Sequence, residues 1–173
     1  RTQSRPLAQG EIPFKYALIL LFFLLVFAAS FLLFLPYACF GFALFALFIT
    51  LIYPFFILYI QAPQLVLGVA FSMGIPMAYS ASDARFDASF YILFLLNALW
   101  IIDYDTAYAM ADKPDDLKIG VKSTAIWFGA WDLRIMMMLM LVISLMWLVF
   151  KHLMELPQYF YFFWLGGLIF FFF

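Results

Sequence analysis

Long apolar stretches alternate with short polar breaks along most of the chain. A helix needs about 20 mainly apolar residues to cross the roughly 30 Å hydrocarbon core of a bilayer. Six stretches meet or approach this length, and proline, glycine or charged residues separate them. The pattern therefore predicts six membrane-spanning helices. They lie near residues 13–35, 37–59, 63–81, 88–111, 131–154 and 157–173.

The third apolar stretch, residues 63–81, contains residues that interrupt helices. Gly68, Gly74 and Pro76 all lie within it. Proline lacks a backbone donor and kinks a helix, whereas small residues let neighbouring helices approach closely inside a membrane. We therefore expect a broken or kinked helix that packs tightly against its neighbours.

The overall composition agrees with a membrane protein. Hydrophobic residues make up 69% of the chain and charged residues 11%, whereas globular domains are roughly half apolar and about a quarter charged. The formal net charge of -1 gives no basis for nucleic-acid binding. The predicted fold class is all-α, a polytopic helix bundle embedded in a lipid bilayer, with no nucleic-acid partner.

Lysine and arginine are distributed unequally between the two ends of the predicted helices. Cytoplasmic loops attract these residues, and only Arg85 and Lys151 fall on one side of the membrane. We expect the opposite side to face the cytoplasm across a bacterial inner membrane, or the matrix across a mitochondrial inner membrane. The residues on that side are Arg1, Arg5, Lys15, Lys113, Lys118, Lys122 and Arg134.

Charge is concentrated on that same side in residues 103–124, which read DYDTAYAMADKPDDLKIGVKST. This segment contains eight charged residues, in a chain that has only 9 Lys and Arg and 10 Asp and Glu. A solvated loop would explain such charge without any function. The spacing favours a site instead, because Asp105, Tyr108, Asp112 and Asp116 share one face if the fourth helix continues past its predicted end.

The residue types on this face indicate a particular chemistry. Carboxylates one helical turn apart repel each other unless a cation lies between them. Mg²⁺ prefers oxygen ligands, and water and phosphate complete its coordination shell. Lys118 and Lys122 follow closely, and lysines hold phosphate as point charges. Pro114 disfavours helical geometry at Lys113, so we expect a distortion between the last two aspartates. The segment predicts a site for Mg²⁺ and a phosphate-bearing ligand.

Residues 104–129, YDTAYAMADKPDDLKIGVKSTAIWFG, closely resemble the second aspartate-rich motif of the UbiA superfamily of intramembrane aromatic prenyltransferases. The resemblance is to its 4-hydroxybenzoate polyprenyltransferase branch. Residues 1–12 are similar to the segment that follows the first aspartate motif of that family, and residues 53–55 and 63–79 are similar to its next landmarks. The resemblance covers nearly the whole chain.

The resemblance implies a bundle of nine membrane helices around a central cavity, where two aspartate motifs face each other across Mg²⁺ and a polyprenyl diphosphate. Residues 1–173 would form a single transmembrane prenyltransferase domain with about six of those helices. We expect the first motif, of Asn-Asp-x-x-Asp type, the two helices before it and the ninth helix to lie outside this sequence. We therefore expect residues 1–173 alone to be inactive.

The resemblance also assigns acidic residues to the reaction. Asp112 and Asp116 match the metal-binding pair of the second motif and are the expected Mg²⁺ ligands. Asp105 matches the upstream face of the motif and is expected to be catalytic with them.

Four further residues are implied to bind substrate. Lys118 and Lys122 match the lysines of the motif and are expected to contact the diphosphate. Tyr108 lies on the upstream face with the acids, and Arg5 matches the arginine of the RPL segment. The family has a basic pair where this chain has Ile57 and Leu58, so one expected phosphate contact is missing there.

The implied reaction is electrophilic aromatic prenylation in ubiquinone biosynthesis. Mg²⁺ and cations stabilise the departing diphosphate, and the ring carbon ortho to the phenol of 4-hydroxybenzoate attacks the allylic carbon of the polyprenyl chain. Two alternatives remain: a non-catalytic membrane subunit that retains the family fold, or a transporter or proton-relay fragment. The second would use Asp103 and Asp105, because acids within a membrane are costly and often functional.

Overall fold

The described part of the chain is entirely helical in its regular structure. A computed structural model describes residues 5–172, with side chains up to residue 169. Arg1, one of the cations used to orient the chain, lies outside this range. No strand occurs within the described residues. The helices are α1 (Phe14–Leu32), α2 (Ala38–Tyr59), α3 (Pro63–Ser72), α4 (Gly74–Ala81), α5 (Ala88–Ile119), α6 (Thr124–Phe128), α7 (Asp132–Leu153) and α8 (Phe160–Phe172), with a 3₁₀ turn at Gly129–Trp131.

Five segments are long and apolar enough to cross a membrane, which confirms five of the six predicted spans. They are α1, α2, the α3–α4 pair, α5, and the segment from α6 through α7. The sixth predicted span, residues 157–173, begins later than expected, because α8 starts at Phe160. Pro157 and the two residues after it form a turn, in which the Phe160 amide donates to the Pro157 carbonyl at 3.0 Å.

The predicted break in the third span lies between α3 and α4. Pro76 has no N–H to donate to the carbonyl of Ser72, four residues earlier, so the helical hydrogen-bond ladder is interrupted there. Met73 separates the two helices. The Ser72 hydroxyl donates to the Gly68 carbonyl at 2.7 Å and accepts from Asn97 Nδ2 at 3.0 Å. These bonds attach the end of α3 to α5.

Helix α5 occupies the centre of the bundle and packs against α3, α4, α6 and α7. It has 32 residues, which at 1.5 Å per residue exceeds the hydrocarbon core of a bilayer by roughly 18 Å. The helix therefore runs beyond the predicted end at residue 111. It stops at Gly120, whose φ of 74° is a left-handed helix cap.

The expected distortion at Pro114 is wrong, because Lys113 and Pro114 both lie within α5. The ammonium of Lys113 contacts Asp132 Oδ2 at 2.9 Å and the Gly129 carbonyl at 2.7 Å. This ion pair holds the last turns of α5 against the start of α7. It offsets the weak helical preference of the residue that precedes a proline.

Asp87 fixes where α5 begins. Its Oδ1 accepts the amides of Ser89 at 2.9 Å and Phe90 at 3.4 Å, which satisfies two of the unpaired N–H groups at a helix start. The hydrogen bond from the Ser89 hydroxyl, at 2.6 Å, holds the pKa of Asp87 below its usual value.

We expect Asp87→Ala to lower the melting temperature, because both amides lose their acceptor. The pKa of Asp87 is lower in the folded state than in the unfolded state. The cap therefore stabilises fully above the unfolded pKa, and its contribution is lost as pH falls through the folded pKa. Melting temperatures of wild type and Asp87→Ala should differ at neutral pH and converge in strong acid. Asp87→Asn keeps an acceptor and should melt close to wild type at neutral pH; a neutral effect of Asp87→Ala would contradict the capping role.

Candidate active site

The predicted acids line a pocket of about 230 Å³ at the end of the bundle where α5 terminates. The last turns of α2 and the first residues of α3 form one side, and the segment between α5 and α6 forms another. The lining residues are Tyr53, Ile57, Pro63, Gln64, Asp105, Tyr108, Ala109, Asp112, Asp116, Val121, Lys122 and Ser123.

Asp105, Tyr108, Asp112 and Asp116 all line this pocket, as their helical spacing predicts. Helix α5 continues through Pro114, so the last interval is also helical. Asp105 lies seven residues before Asp112 on α5, which places it roughly 10 Å deeper along the helix axis. Tyr108 is half-exposed, and its hydroxyl accepts from the Tyr104 hydroxyl at 3.2 Å. The pocket thus has an acidic rim and a single deeper acid.

Lys122 is the predicted lysine that reaches the pocket. Its backbone amide donates to the Ile57 carbonyl at 3.1 Å, and its ammonium donates to the Tyr59 carbonyl at 2.9 Å. Both acceptors belong to the last turn of α2, where the carbonyls lack helical partners and a cation is favoured. Ile57, where the resemblance led us to expect a basic residue, also lines the pocket.

Lys118 and Arg5 lie outside the pocket. The ammonium of Lys118 pairs with Asp115 at 2.9 Å, and both side chains are largely exposed. Arg5 lies in the exposed turn before α1. The structure therefore does not bring these two cations to the acids that line the pocket. Their contacts with phosphate stay predictions.

Gln64, Tyr53 and Ser123 line the pocket and were not identified from the sequence. Gln64 is only 3% exposed. Its Oε1 accepts the Thr124 amide at 3.0 Å, and Asp105 lines the same pocket. Tyr53 and Gln64 lie in the family landmarks at residues 53–55 and 63–79, but the sequence did not mark them as site residues. Ser123 caps α6 by accepting the Ile126 amide at 3.3 Å.

The donor set suits magnesium better than a metal that needs a closed protein cage. In residues 5–172, no group of three or more His, Cys, Asp or Glu side chains is arranged to hold a metal ion. Asp112 and Asp116 provide two carboxylates on successive turns at the pocket. Mg²⁺ is commonly bound by one or two carboxylates, with water and substrate phosphate supplying its other oxygens.

Asp103 does not line the pocket, although it is only two residues from Asp105. It is 4% exposed, and its Oδ1 has no hydrogen-bond partner among the described residues. Successive helical residues point in different directions, so Asp103 and Asp105 face different surroundings. The structure does not join them in one polar path.

A second, larger cavity of about 600 Å³ lies between α4, α5, α7 and α8. Its lining is mainly aliphatic and aromatic, with Asn97 and Ser144 as its polar members. It contains none of the predicted acids or lysines, so the candidate chemistry belongs to the smaller pocket.

Comparisons with known proteins identify relatives of the chain. The chain is 51% identical over 164 residues to the 4-hydroxybenzoate octaprenyltransferase of Legionella pneumophila strain Paris, which covers 95% of the chain and 58% of that protein. It is 48% identical over 138 residues to the 4-hydroxybenzoate octaprenyltransferase of Neisseria meningitidis serogroup B strain MC58, covering 80% of the chain and 47% of that protein. The chain thus spans about half the length of these curated relatives.

No solved structure matches the chain significantly. The model of the UbiA prenyltransferase family matches residues 1–173, which is the whole sequence. The chain belongs to the UbiA prenyltransferase family.

Proposed function

We propose that this chain is part of an enzyme that transfers a polyprenyl group from polyprenyl diphosphate to 4-hydroxybenzoate, at the ring carbon ortho to the phenol, in ubiquinone biosynthesis. The observation that carries the proposal is the single pocket that holds Asp105, Asp112, Asp116 and Lys122. The names of the similar Legionella and Neisseria proteins support the same acceptor and a polyprenyl donor.

The rim of the pocket is proposed to bind the diphosphate. Asp112 and Asp116 would hold Mg²⁺, which when bound would offset the charge of the diphosphate as it leaves. Lys122 has one donor occupied by the Tyr59 carbonyl, and an ammonium has three. Its remaining donors would bind a phosphate oxygen. A cation fixed in advance near the leaving group stabilises charge that develops in the transition state.

The deeper part of the pocket is proposed to hold the aromatic acceptor. Asp105 lies about two turns from the rim, and Tyr53 and Gln64 line the pocket with it. A carboxylate can accept a hydrogen bond from the phenol of the acceptor, which orients the ring and increases electron density at its ortho carbon. The mainly apolar walls of the bundle would exclude water from the allylic carbon as its bond to oxygen breaks.

The two alternatives receive less support from the structure. A proton relay through Asp103 and Asp105 needs a polar connection, whereas Asp103 is buried outside the pocket. A non-catalytic subunit would not require acids and a lysine at one pocket. The replacement of the usual basic pair by Ile57 and Leu58 is the feature that favours it.

Prenyl transfer by the natural protein is the direct test. Membranes containing that protein, supplied with octaprenyl diphosphate, 4-hydroxybenzoate and Mg²⁺, should yield a product with the prenyl group ortho to the phenol, identified by mass spectrometry. Removing Mg²⁺ with a chelator should stop the reaction. We expect residues 1–173 expressed alone to give no product, because they supply one pair of carboxylates at the rim. Correctly inserted natural protein that forms no product would contradict the proposed function.

A further inference from the structure

Gln64 is a buried polar side chain in a mainly apolar part of the bundle. It belongs to the first turn of α3 and is 3% exposed, between the buried Pro63 and the exposed Leu65. A buried amide is costly unless its donor and acceptor are both satisfied. Its position therefore requires specific partners on neighbouring elements.

One of those partners fixes the orientation of the amide group. The Thr124 amide is a donor, so the atom that faces it at 3.0 Å must be the carbonyl oxygen Oε1. With Oε1 held by the Thr124 amide, the NH₂ group is the part of the Gln64 side chain left to donate, and the Asp105 carboxylate lines the same pocket. Gln64 thus attaches α3 to the start of α6 and offers its donor at a pocket that α5 also lines.

The α6 end of this connection is held by a second buried bond. Thr106 Oγ1 donates its one hydrogen to the Ile102 carbonyl at 2.6 Å. It must therefore be the acceptor in its 2.6 Å contact with Thr124 Oγ1, and Thr124 is the donor there. The backbone and the hydroxyl of Thr124 are therefore attached to α3 and α5 respectively. Lys122 and Ser123, which line the pocket, come directly before this anchored residue.

We propose that Gln64 is a positioning residue that orients the Asp105 carboxylate toward the acceptor in the pocket, while its carbonyl oxygen anchors the start of α6. This inference rests on the proposed function, because it assigns Asp105 to the acceptor and not to the diphosphate. Gln64 lines the pocket together with Asp105, and the role proposed for it is exerted through the Asp105 carboxylate. The NH₂ group favours one carboxylate orientation and occupies one of its lone pairs, which leaves the other oxygen to face the phenol.

Gln64→Glu separates the two roles of this side chain. Glutamate retains an oxygen that can accept the Thr124 amide but replaces the donating NH₂ with a second oxygen beside Asp105. We expect kcat/KM for 4-hydroxybenzoate to fall on the order of tenfold, as for the loss of one hydrogen bond to a charged group. The KM for polyprenyl diphosphate should stay near its wild-type value. Gln61→Glu is the matched control, because Gln61 is exposed and the chemical change is identical.

The loss should also depend on pH in a way that a purely structural defect would not. Two adjacent carboxyls share a proton readily, and the carboxyl introduced by Gln64→Glu could, once protonated, again donate to Asp105. Activity of Gln64→Glu relative to wild type should therefore decline between about pH 6 and about pH 9. The other titratable residues that line the pocket are the same in wild type and in Gln64→Glu. They are Tyr53, Tyr108, Asp112, Asp116 and Lys122.

Two further variants keep the inference open to contradiction. Gln64→Met removes both the acceptor of the Thr124 amide and the NH₂ donor, so the Thr124 amide should exchange its hydrogen faster than in wild type, whereas in Gln64→Glu it should stay protected. In an Asp105→Asn background, adding Gln64→Glu should change kcat/KM by much less than it does alone.

The outcomes distinguish this inference from the proposed function. Wild-type transfer to 4-hydroxybenzoate with full activity in Gln64→Glu, or additive effects with Asp105→Asn, would overturn the positioning role alone. Unchanged exchange of the Thr124 amide in Gln64→Met would overturn the anchoring role even if no variant were active. Failure of the wild-type protein to prenylate would refute the proposed function and, with it, the orientation of Asp105 toward an acceptor.

Discussion

Replacing Asp112 or Asp116 by alanine is expected to abolish prenyl transfer while the protein still inserts into the membrane. Each substitution removes one of the two carboxylates at the rim of the pocket, and the proposed Mg²⁺ would have few protein ligands to lose there. Loss of one main electrostatic contact in a transition state lowers kcat on the order of 10²- to 10³-fold, about 3–4 kcal/mol in barrier. The measurement is product formation per unit of inserted protein.

Asp115→Ala is the control for that experiment. Asp115 lies beside Asp116 in sequence, but its side chain is 70% exposed and pairs with Lys118 outside the pocket. It removes one negative charge from the same turn of α5 without touching the lining. We expect near-wild-type turnover from Asp115→Ala. Near-wild-type turnover from Asp112→Ala or Asp116→Ala would remove the basis for the metal assignment.

Much of the acidic face could be predicted, because helical periodicity is a local property. Intervals of three, four and four residues place Asp105, Tyr108, Asp112 and Asp116 on one face of any continuous helix. Only the continuation of the helix past Pro114 was in doubt. Lys113, the residue before Pro114, contacts the start of α7, and such a tertiary contact cannot be predicted from local sequence.

The two lysines show where local reasoning ends. Lys118 is the last charged residue of α5, and its position three residues after Asp115 favours a pair on the helix surface. Gly120 then adopts a φ of 74° and turns the chain back toward α2, which places Lys122 at the pocket. The sequence shows a glycine there but not the direction in which the chain leaves it.

Gln64 was not predicted for a related reason. Thr124, which Gln64 binds, and Asp105, which lines the same pocket, are 60 and 41 residues away in sequence, and α3 must first dock on α5 to bring the three together. The sequence shows an amide after a proline, which is equally consistent with an exposed helix start. Its burial is a result of tertiary packing, and Gly68 is the residue that permits this packing.

Gly68→Ala is expected to separate α3 from α5 and to impair both stability and activity. A methyl group at this position would lie 2.9 Å from the Ala98 carbonyl oxygen and 3.2 Å from Cγ1 of Ile102. A backbone carbonyl in the middle of a helix cannot move alone, so the helices must shift. Overpacking of this kind costs typically about 1–3 kcal/mol. Gln64 lies one turn before Gly68 on α3, so its contacts with α5 should lengthen as well.

Gly74→Ala is the control, because a methyl group there meets nothing within 4 Å and alanine favours a helix by up to about 1 kcal/mol over glycine. We expect it to melt at or slightly above the wild-type temperature, whereas Gly68→Ala should melt lower and lose prenyl transfer. Adding Ile102→Ala, which removes both Cγ1 and Cδ1, to Gly68→Ala should not restore either property, because the closest atom belongs to the backbone. Full rescue by Ile102→Ala would show that a flexible side chain set the spacing, and the close backbone approach would then not be what keeps α3 against α5.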